Sequence, residues 1–186
     1  FVKRTMDIVV SALMLLITSP IFLIASIAIK LYDGGPVFYR QARCTMNGKV
    51  FHIFKFRSMI VDAEKDGVAR LAKAGDSRIT PVGKVIRATR LDELPQLLNI
   101  VKGDMSIVGP RPPLVREVEQ YNSYQMQRLL VTPGLTCFWQ AYGRSDLSFD
   151  DWMDMDMKYI KRRNIFLDIK LIVKTVFAVI FKRGAY

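Results

Sequence analysis

The sequence is poor in cysteine and histidine, and this scarcity excludes several kinds of site. Two cysteines, Cys44 and Cys137, and one histidine, His52, occur among 186 residues. The cysteines form no C-x-x-C motif, and these three residues do not provide the four ligands of a typical structural zinc site. A disulfide framework is equally implausible, so we expect the soluble part to lie in the reducing cytosol.

Two familiar signatures of catalytic sites are also missing. The chain contains no serine or cysteine nucleophile with a paired histidine, and no G-x-x-x-x-G-K-[ST] phosphate loop. Acidic residues are outnumbered, with 17 Asp and Glu against 28 Lys and Arg, which gives a formal net charge of +11. Such a surplus suits nucleic acid, anionic lipid or phosphate-bearing substrates, with plain colloidal charge as the alternative.

One long apolar run is present, from Ile8 to Ile29. It favours lipid and phosphate over nucleic acid as binding partners of the positive charge. At the rise of an α-helix this run is about 33 Å long, enough to cross the hydrocarbon core of a bilayer. Lys3 and Arg4 precede it and Lys30 follows it. Because cationic residues favour the cytoplasmic side, the two flanks predict that both ends of the run lie on that side.

The centre of the run contains Ser19 and Pro20. Proline has no N–H and clashes with the carbonyl of Leu16, so the helix must kink or break there. The Ser19 hydroxyl is well placed to satisfy a backbone group that the break leaves without a partner. We therefore expect residues 1–33 to form a re-entrant membrane hairpin, with a kinked spanning helix as the alternative.

After this segment the sequence predicts a β-hairpin. Val37–Arg43 and Val50–Ser58 have the composition of strands, and Asn47-Gly48 between them is a strong turn signal. Alternation along the second strand puts Lys55 and Arg57 on one face, which makes both of them candidates for binding phosphate.

The rest of the chain is predicted to be largely helical, so the fold class is α+β: a small strand element surrounded by helices. We expect residues 34–186 to form a cytosolic, membrane-associated catalytic domain. The last predicted helix carries a broad apolar stripe edged by lysines, as helices on a membrane surface do, although packing on a core is the alternative. The predicted helices run from Pro81 to Arg90, from Leu91 to Val101, from Leu114 to Leu130, from Ser148 to Arg163, and from Ile165 to Lys182. Thr80 is the predicted N-cap of the first of these, and Ser148 and Asp151 have the spacing of a capping box.

Adjacent carboxylates at Asp92 and Glu93 form the most informative candidate site. They fall at a predicted helix start, with Arg87 and Arg90 just upstream. An ionised Asp92 at such a position suits a nucleophile or a hard-metal ligand, and Mg²⁺ needs only one or two carboxylates beside substrate phosphates. The alternative is an acidic first turn that only complements the helix dipole.

Two further arginines are candidates for binding phosphate. Arg111 lies in Pro-Arg-Pro-Pro, where flanking prolines limit the entropy lost in holding its planar guanidinium fixed, although an exposed turn residue is the alternative. Arg144 follows an aromatic loop. Asp154 and Asp156 resemble the D-x-D motif of metal-dependent glycosyltransferases, but on a helix they point about 200° apart and cannot share one ion.

Taken together, these residues resemble the bacterial sugar transferases, the monotopic phosphoglycosyl transferases. The resemblance rests on the Ser-Pro break, KFRSM, LDELPQ, GDMSIVGPRPP and the loop from PGLT to YGR, in this order over essentially the whole chain. Cys137-Phe138-Trp139 departs from the Gly-Trp-Ala-like run of many members. Larger members carry extra N-terminal membrane helices, so we expect this chain to be the catalytic module of a larger protein.

The resemblance implies transfer of a sugar phosphate from a UDP-sugar to polyprenyl phosphate, with release of UMP, at the cytoplasmic face of the bacterial inner membrane. It implies that Asp92 is the covalent nucleophile and contacts Mg²⁺, and that Glu93 is its dyad partner. By motif position, the phosphate-binding cations are Lys55, Arg87, Arg111 and Arg144. The reaction starts polysaccharide or glycoconjugate assembly in this family.

Two other functions compete with this enzyme. One is a non-catalytic membrane-surface adaptor that holds anionic lipid on a basic face; the other is a membrane-tethered nucleic-acid-binding protein. Neither explains the acidic pair and the proline-flanked arginine together. We therefore expect membrane lipid but no nucleic acid as a partner, and a homodimer is one assembly that the sequence allows.

Overall fold

Seven helices and four strands follow one another in the computed structural model, which describes residues 1–63, 75–142 and 148–180. Within these residues helix dominates and the two sheets are small, as the predicted α+β class requires. The helices are α1 Val2–Asp33, α2 Pro81–Ala88, α3 Gln96–Lys102, α4 Val115–Val118, α5 Phe138–Tyr142, α6 Phe149–Arg162 and α7 Ile165–Ile180. The strands are β1 Phe38–Cys44, β2 Val50–Phe56, β3 Ser106–Val108 and β4 Gly134–Thr136.

Helix α1 contains the apolar run and continues through Pro20 as one element. The Ser19 hydroxyl donates to the Leu16 carbonyl at 2.8 Å. This is the carbonyl that loses its helical partner because Pro20 has no N–H, so the prediction that Ser19 compensates for the proline is confirmed. Of the described helices, α1 has the length and composition to cross a membrane, and most of its apolar side chains are exposed. The re-entrant hairpin and the division at residue 33 remain predictions.

The predicted β-hairpin is confirmed. Strands β1 and β2 pair antiparallel, with Tyr39 opposite Lys55. Asn47 adopts a positive φ of 60° in the connecting turn, a conformation that asparagine tolerates better than most residues.

Thr80 caps α2 as predicted, because its hydroxyl accepts the Gly83 N–H at 2.8 Å. The single helix predicted from Leu91 to Val101 is wrong. A 3₁₀ turn over Leu91–Glu93 precedes α3, which ends at Gly103 with φ 101°. The break puts the acidic pair in a tight turn of its own.

Strands β3 and β4 pair parallel in the core, and the start of α1 covers the other edge of β3. Asp7 is 3% exposed; its carboxylate accepts the Ile107 N–H at 3.0 Å and the Ser106 hydroxyl at 2.8 Å. The Lys3 ammonium donates to the Val108 carbonyl at 3.1 Å. Side chains of α1 therefore satisfy backbone groups that another strand would otherwise satisfy.

The helix predicted from Leu114 to Leu130 is also wrong, because the chain forms only α4 and a later 3₁₀ turn, Gln125–Leu130. Asn122 and Gln125 each accept the other's backbone N–H, at 2.9 Å in both directions. These local hydrogen bonds replace the backbone bonds of a continuous helix, so the chain is not helical between α4 and the 3₁₀ turn.

Helices α6 and α7 close the described part of the chain. Ser148 and Asp151 form the predicted capping box, with reciprocal side-chain bonds to backbone N–H groups. On α7, Leu171 is buried whereas Ile169, Val173 and Val176 are exposed. Part of the apolar stripe thus faces outward, as a helix on a membrane surface would require, whereas Ile172 packs against the core.

Asn99 joins α3 to the hairpin and offers a test of the fold. Fully buried, it accepts the Phe54 N–H at 3.0 Å and donates to the His52 carbonyl at 2.8 Å. Asn99→Ala leaves both backbone groups without partners, so we expect a loss of about 3 kcal/mol, or roughly 6–12 °C in thermal midpoint in detergent. Leu98→Ala, on the exposed side of the same helix, is the control and should change the midpoint by roughly 2 °C at most. Equal midpoints for the two variants would contradict this role of Asn99.

Candidate active site

The acidic pair lies in a turn whose entry is constrained. Arg90 has φ 56° and ψ 18°, a left-handed conformation that costs a non-glycine residue about 1–2 kcal/mol. It separates α2 from the 3₁₀ turn, whose Glu93 contacts Lys55 near the end of β2. Backbone strain of this kind is typical of sites where side-chain placement matters more than local stability.

Glu93 is held by Lys55 at the end of the hairpin. The Lys55 ammonium donates to Glu93 Oε1 at 2.9 Å, and each side chain is about a quarter exposed, 22% and 24%. Burial acts to raise the pKa of Glu93, but Lys55, Arg111 and Arg90 together outweigh it and hold this pKa well below its usual range. Glu93 therefore stays ionised.

Asp92 behaves in the opposite way. Burial and the negative charge of Glu93 raise its pKa to about 6, against the influence of Lys55 and Arg87. Arg87 acts in the direction expected from the sequence, because it favours the ionised carboxylate, but burial and Glu93 outweigh it. Asp92 remains ionised at neutral pH, but as a partly desolvated carboxylate that is more basic than an ordinary aspartate, which favours attack on an electrophile.

A small cavity of about 20 Å³ adjoins Glu93, enough for one water-sized group. Cations and neutral amides from distant parts of the chain meet there. The polar side chains around it belong to Arg43, Lys55, Glu93, Gln96, Arg111 and Gln140. Three of them are cations and one, Glu93, is a carboxylate, so the cavity has a positive lining that suits a phosphate-bearing ligand.

The loop that carries Arg111 is fixed through its backbone. Gly134 N–H donates to the Pro110 carbonyl at 2.8 Å, the Arg43 guanidinium to the Pro112 carbonyl at 2.9 Å, and Cys44 N–H to the Pro113 carbonyl at 2.9 Å. Prolines already restrict the backbone there, so these bonds leave Arg111 in a pre-organised loop.

The sequence profile of the bacterial sugar transferases matches residues 1–182. The chain belongs to the bacterial sugar transferase family. The match extends from the first turn of α1 to just beyond the end of α7, so it includes the long apolar helix and every element of the site described above. The resemblance noted in the sequence is therefore confirmed.

Curated relatives of this family member carry consistent names. Galactosyl transferase CpsE of Streptococcus agalactiae serotype III (strain NEM316) is 44% identical, over 98% of this chain and 43% of its own length. Undecaprenyl-phosphate galactose phosphotransferase of Salmonella typhimurium is 40% identical, over 100% of this chain and 42% of its own length. Exopolysaccharide production protein ExoY of Rhizobium meliloti (strain 1021) is 39% identical, over 99% of this chain and 88% of its own length. The chain thus spans less than half of the first two relatives and most of the third.

The structure brings most of the predicted site residues of this family member together. Lys55 and Arg111 line the cavity with Glu93, and Arg87 contributes positive charge at Asp92. Arg57 lies elsewhere: it is 8% exposed and forms an ion pair with Asp33 at the end of α1. Arg144 lies outside the described residues.

Sequence reasoning missed Arg43, Gln96 and Gln140. Arg43 lies on β1 and reaches the Arg111 loop; burial and the like charge of Arg111 lower its pKa to about 10. Gln96 immediately follows the acidic motif, and its position one turn after Glu93 is the signal that was available. Arg43 lies far from Arg111 in sequence, so only the fold brings the two together.

The donor set decides what metal this site can hold. Within the described ranges, no group of three or more His, Cys, Asp or Glu residues forms a metal site. Asp92 and Glu93 supply hard oxygen donors, and burial together with the charge of Glu93 raises the pKa of Asp92 despite its cationic neighbours. The site therefore fits Mg²⁺, which binds through one or two carboxylates and completes its shell with water and substrate phosphate.

Lys55→Met tests the electrostatics of the pair. Removing the cation should raise the carboxyl pKa of both acids, that of Asp92 above about 6, because Lys55 lowers both values. Carboxyl ¹³C NMR titration, with Asp92→Asn to assign the signal, measures the change. Lys49→Met, an exposed lysine of the same hairpin, should leave both titrations unchanged. Identical curves for the Lys55 variant and the native chain would contradict the assignment.

Proposed function

We propose that the chain catalyses transfer of a sugar phosphate from a UDP-sugar to polyprenyl phosphate through a covalent aspartyl–phosphosugar, releasing UMP. The observation that carries this proposal is the acidic pair in its cationic surroundings: a partly desolvated Asp92 beside Glu93, with Lys55, Arg87 and Arg111 around them. Relatives named undecaprenyl-phosphate sugar phosphotransferases support the same general reaction.

In the first step, an Asp92 carboxylate oxygen attacks the sugar-bearing phosphorus of the donor. The bond between that phosphorus and the bridging oxygen breaks, and UMP leaves with the electron pair. Arg111 and Lys55 lie where they would stabilise charge that develops on the phosphate oxygens. Lys55 also keeps Glu93 ionised and in place, so that Glu93 is available to orient the reacting groups.

In the second step, a phosphate oxygen of polyprenyl phosphate attacks the same phosphorus. The bond from phosphorus to the Asp92 oxygen breaks, the carboxylate is regenerated and the lipid-linked sugar diphosphate departs. Splitting the transfer in this way lets a soluble donor and a membrane-embedded acceptor use one site in turn.

Mg²⁺ is the proposed cofactor, held by Asp92 with Glu93 as its neighbour. When bound, it supplies charge neutralisation to the diphosphate. The residues of the chain bind and orient the donor: the Arg111 guanidinium offers two parallel donors to a phosphate, and Arg87 offsets negative charge at Asp92.

The proposed location is the cytoplasmic face of the inner membrane, with α1 entering and leaving the same leaflet as a re-entrant element. Both ends of α1 are tied to one domain. Near its start the Arg4 guanidinium donates to the Val101 carbonyl at 2.9 Å, and at its end Asp33 pairs with Arg57. A helix that crossed the bilayer would carry one of these ends away from the domain. The assembly state, with a homodimer as one option, stays a prediction.

Donor alone tests the covalent step. Before any lipid is added, the enzyme should release up to one UMP per active site, because the phosphosugar stays on Asp92. Asp92→Asn should abolish this burst, since a neutral amide is a poor nucleophile, whereas Asp150→Asn, an exposed acid on α6, should keep it. A normal turnover in the Asp92 variant, or release of UMP only when polyprenyl phosphate is present, would favour direct transfer. Full biological function without Asp92 would favour the membrane adaptor.

Cysteine labelling tests the topology. Cys44 and Cys137 are buried, so single cysteines introduced at Phe1 and Pro36 should dominate the labelling in sealed inverted vesicles. Both should react from the cytoplasmic side. In the double variant Ser19→Ala, Pro20→Leu, the break and its compensating hydroxyl disappear together, so we expect a spanning helix with one site protected. Opposite-side labelling in the native chain would exclude the re-entrant element.

A further inference from the structure

A buried ion pair lies behind the Arg111 loop, outside the acidic pair and the cavity. Arg128 and Asp156 are 3% and 0% exposed, and the Arg128 Nη2 atom lies 2.8 Å from Asp156 Oδ2. Asp156 belongs to α6 and Arg128 to the 3₁₀ turn Gln125–Leu130. Asp154, the other acid of the D-x-D pattern, is exposed and accepts the Tyr124 hydroxyl, so the two aspartates face different surroundings as their spacing predicts.

The Arg128 guanidinium is fixed on several sides at once. It donates to the Tyr121 hydroxyl, and its central carbon lies 5.7 Å from the Tyr121 ring centre and 5.5 Å from that of Trp152. A planar group enclosed by two rings and a carboxylate has little freedom to move. The guanidinium therefore presents its remaining N–H groups in a fixed direction.

One of these N–H groups contacts the backbone of Arg111. Arg128 Nη2 donates to the Arg111 carbonyl at 3.0 Å. With it, four successive carbonyls from Pro110 to Pro113 each accept a hydrogen bond from outside the loop. The bond from Arg128 holds the carbonyl of the residue whose side chain faces the cavity.

We infer that Arg128, oriented by Asp156, is a positioning residue for the Arg111 guanidinium and hence for the phosphate that Arg111 binds. A buried ion pair is weak evidence for stability, because apolar residues of similar volume often serve as well. The geometry gives this pair a different role: the carboxylate orients the guanidinium, which fixes the loop on which phosphate binding depends. The inference rests on the proposed function, since it assigns Arg111 to the donor phosphates.

A double-mutant cycle tests the coupling. Arg128→Lys keeps a charge for Asp156 but loses the fork that also reaches the Arg111 carbonyl. We expect it to lower kcat/KM for UMP release by about tenfold when Arg111 is present, and by less than about twofold in an Arg111→Lys background. A loss of folded protein would lower the rate by the same factor in both backgrounds. Equal factors, or no effect in either background, would overturn the inference.

Hydrogen exchange supplies a readout that does not depend on turnover. The Cys44 and Gly134 N–H groups donate to carbonyls of the Arg111 loop, so Arg128→Lys should speed their exchange. The Phe54 N–H, bonded to Asn99, should exchange as before and is the internal control. Faster exchange at all three amides would mean general destabilisation and would overturn the inference.

If Arg128→Lys does not fold, the double-mutant cycle and the exchange measurement are made with Asp156→Asn. The amide has the shape of the carboxylate and keeps one oxygen that accepts a hydrogen bond from Arg128. Asp150→Asn is the control. If neither variant of the buried pair folds, the pair serves stability and the inference fails. Failure of the proposed function looks different: the native chain would release no UMP, or Arg111→Lys would be as active as the native chain, while the exchange results would still report on the loop.

Discussion

The contact between the start of α1 and the edge of β3 is the interaction on which the rest of the structure depends. Asp7 would be costly to bury in an apolar helix without donors, and it receives one from the Ile107 N–H and one from the Ser106 hydroxyl. Strand β3 leads directly into the loop that carries Arg111. The exposed apolar helix and the loop that carries Arg111 are therefore parts of one continuous packed unit. In the proposed reaction, this unit would hold a membrane-embedded acceptor at a fixed position relative to the site.

Electrostatics then decide how two adjacent acids differ. Lys55 offsets the charge of Glu93 and lowers its pKa, so Glu93 remains ionised, whereas burial and the charge of Glu93 raise the pKa of Asp92. Two carboxyls of similar intrinsic acidity thus become suited to different tasks: in the proposed mechanism Glu93 orients and Asp92 reacts. The surrounding arginines suit a diphosphate, and the backbone bonds to the Pro110–Pro113 segment fix the loop of one of them, Arg111, before the proposed donor binds.

Local sequence signals predicted much of this fold. Asn47-Gly48, Thr80-Pro81 and the Ser148 capping box each depend on residues within a few positions, and each is confirmed. The segment from Leu114 to Leu130 misled because its apolar spacing is helical, whereas the competing bonds of Asn122 are not visible in that spacing. The candidate site divides in the same way. Strand alternation predicted that Lys55 faces the site. It cannot predict the direction of Arg57, because β2 ends at Phe56. Contacts distant in sequence, such as Arg43 with the Arg111 loop, follow from the fold alone.

The central claim is that Asp92 carries the phosphosugar during turnover. Intact-protein mass spectrometry after incubation with a UDP-sugar, followed by peptide mapping, tests it most directly. The account predicts that the protein gains the mass of one sugar phosphate, that the adduct lies on the peptide containing Asp92, and that polyprenyl phosphate discharges it. Release of UMP from a protein that remains unmodified, or an adduct on a residue other than Asp92, would contradict the account.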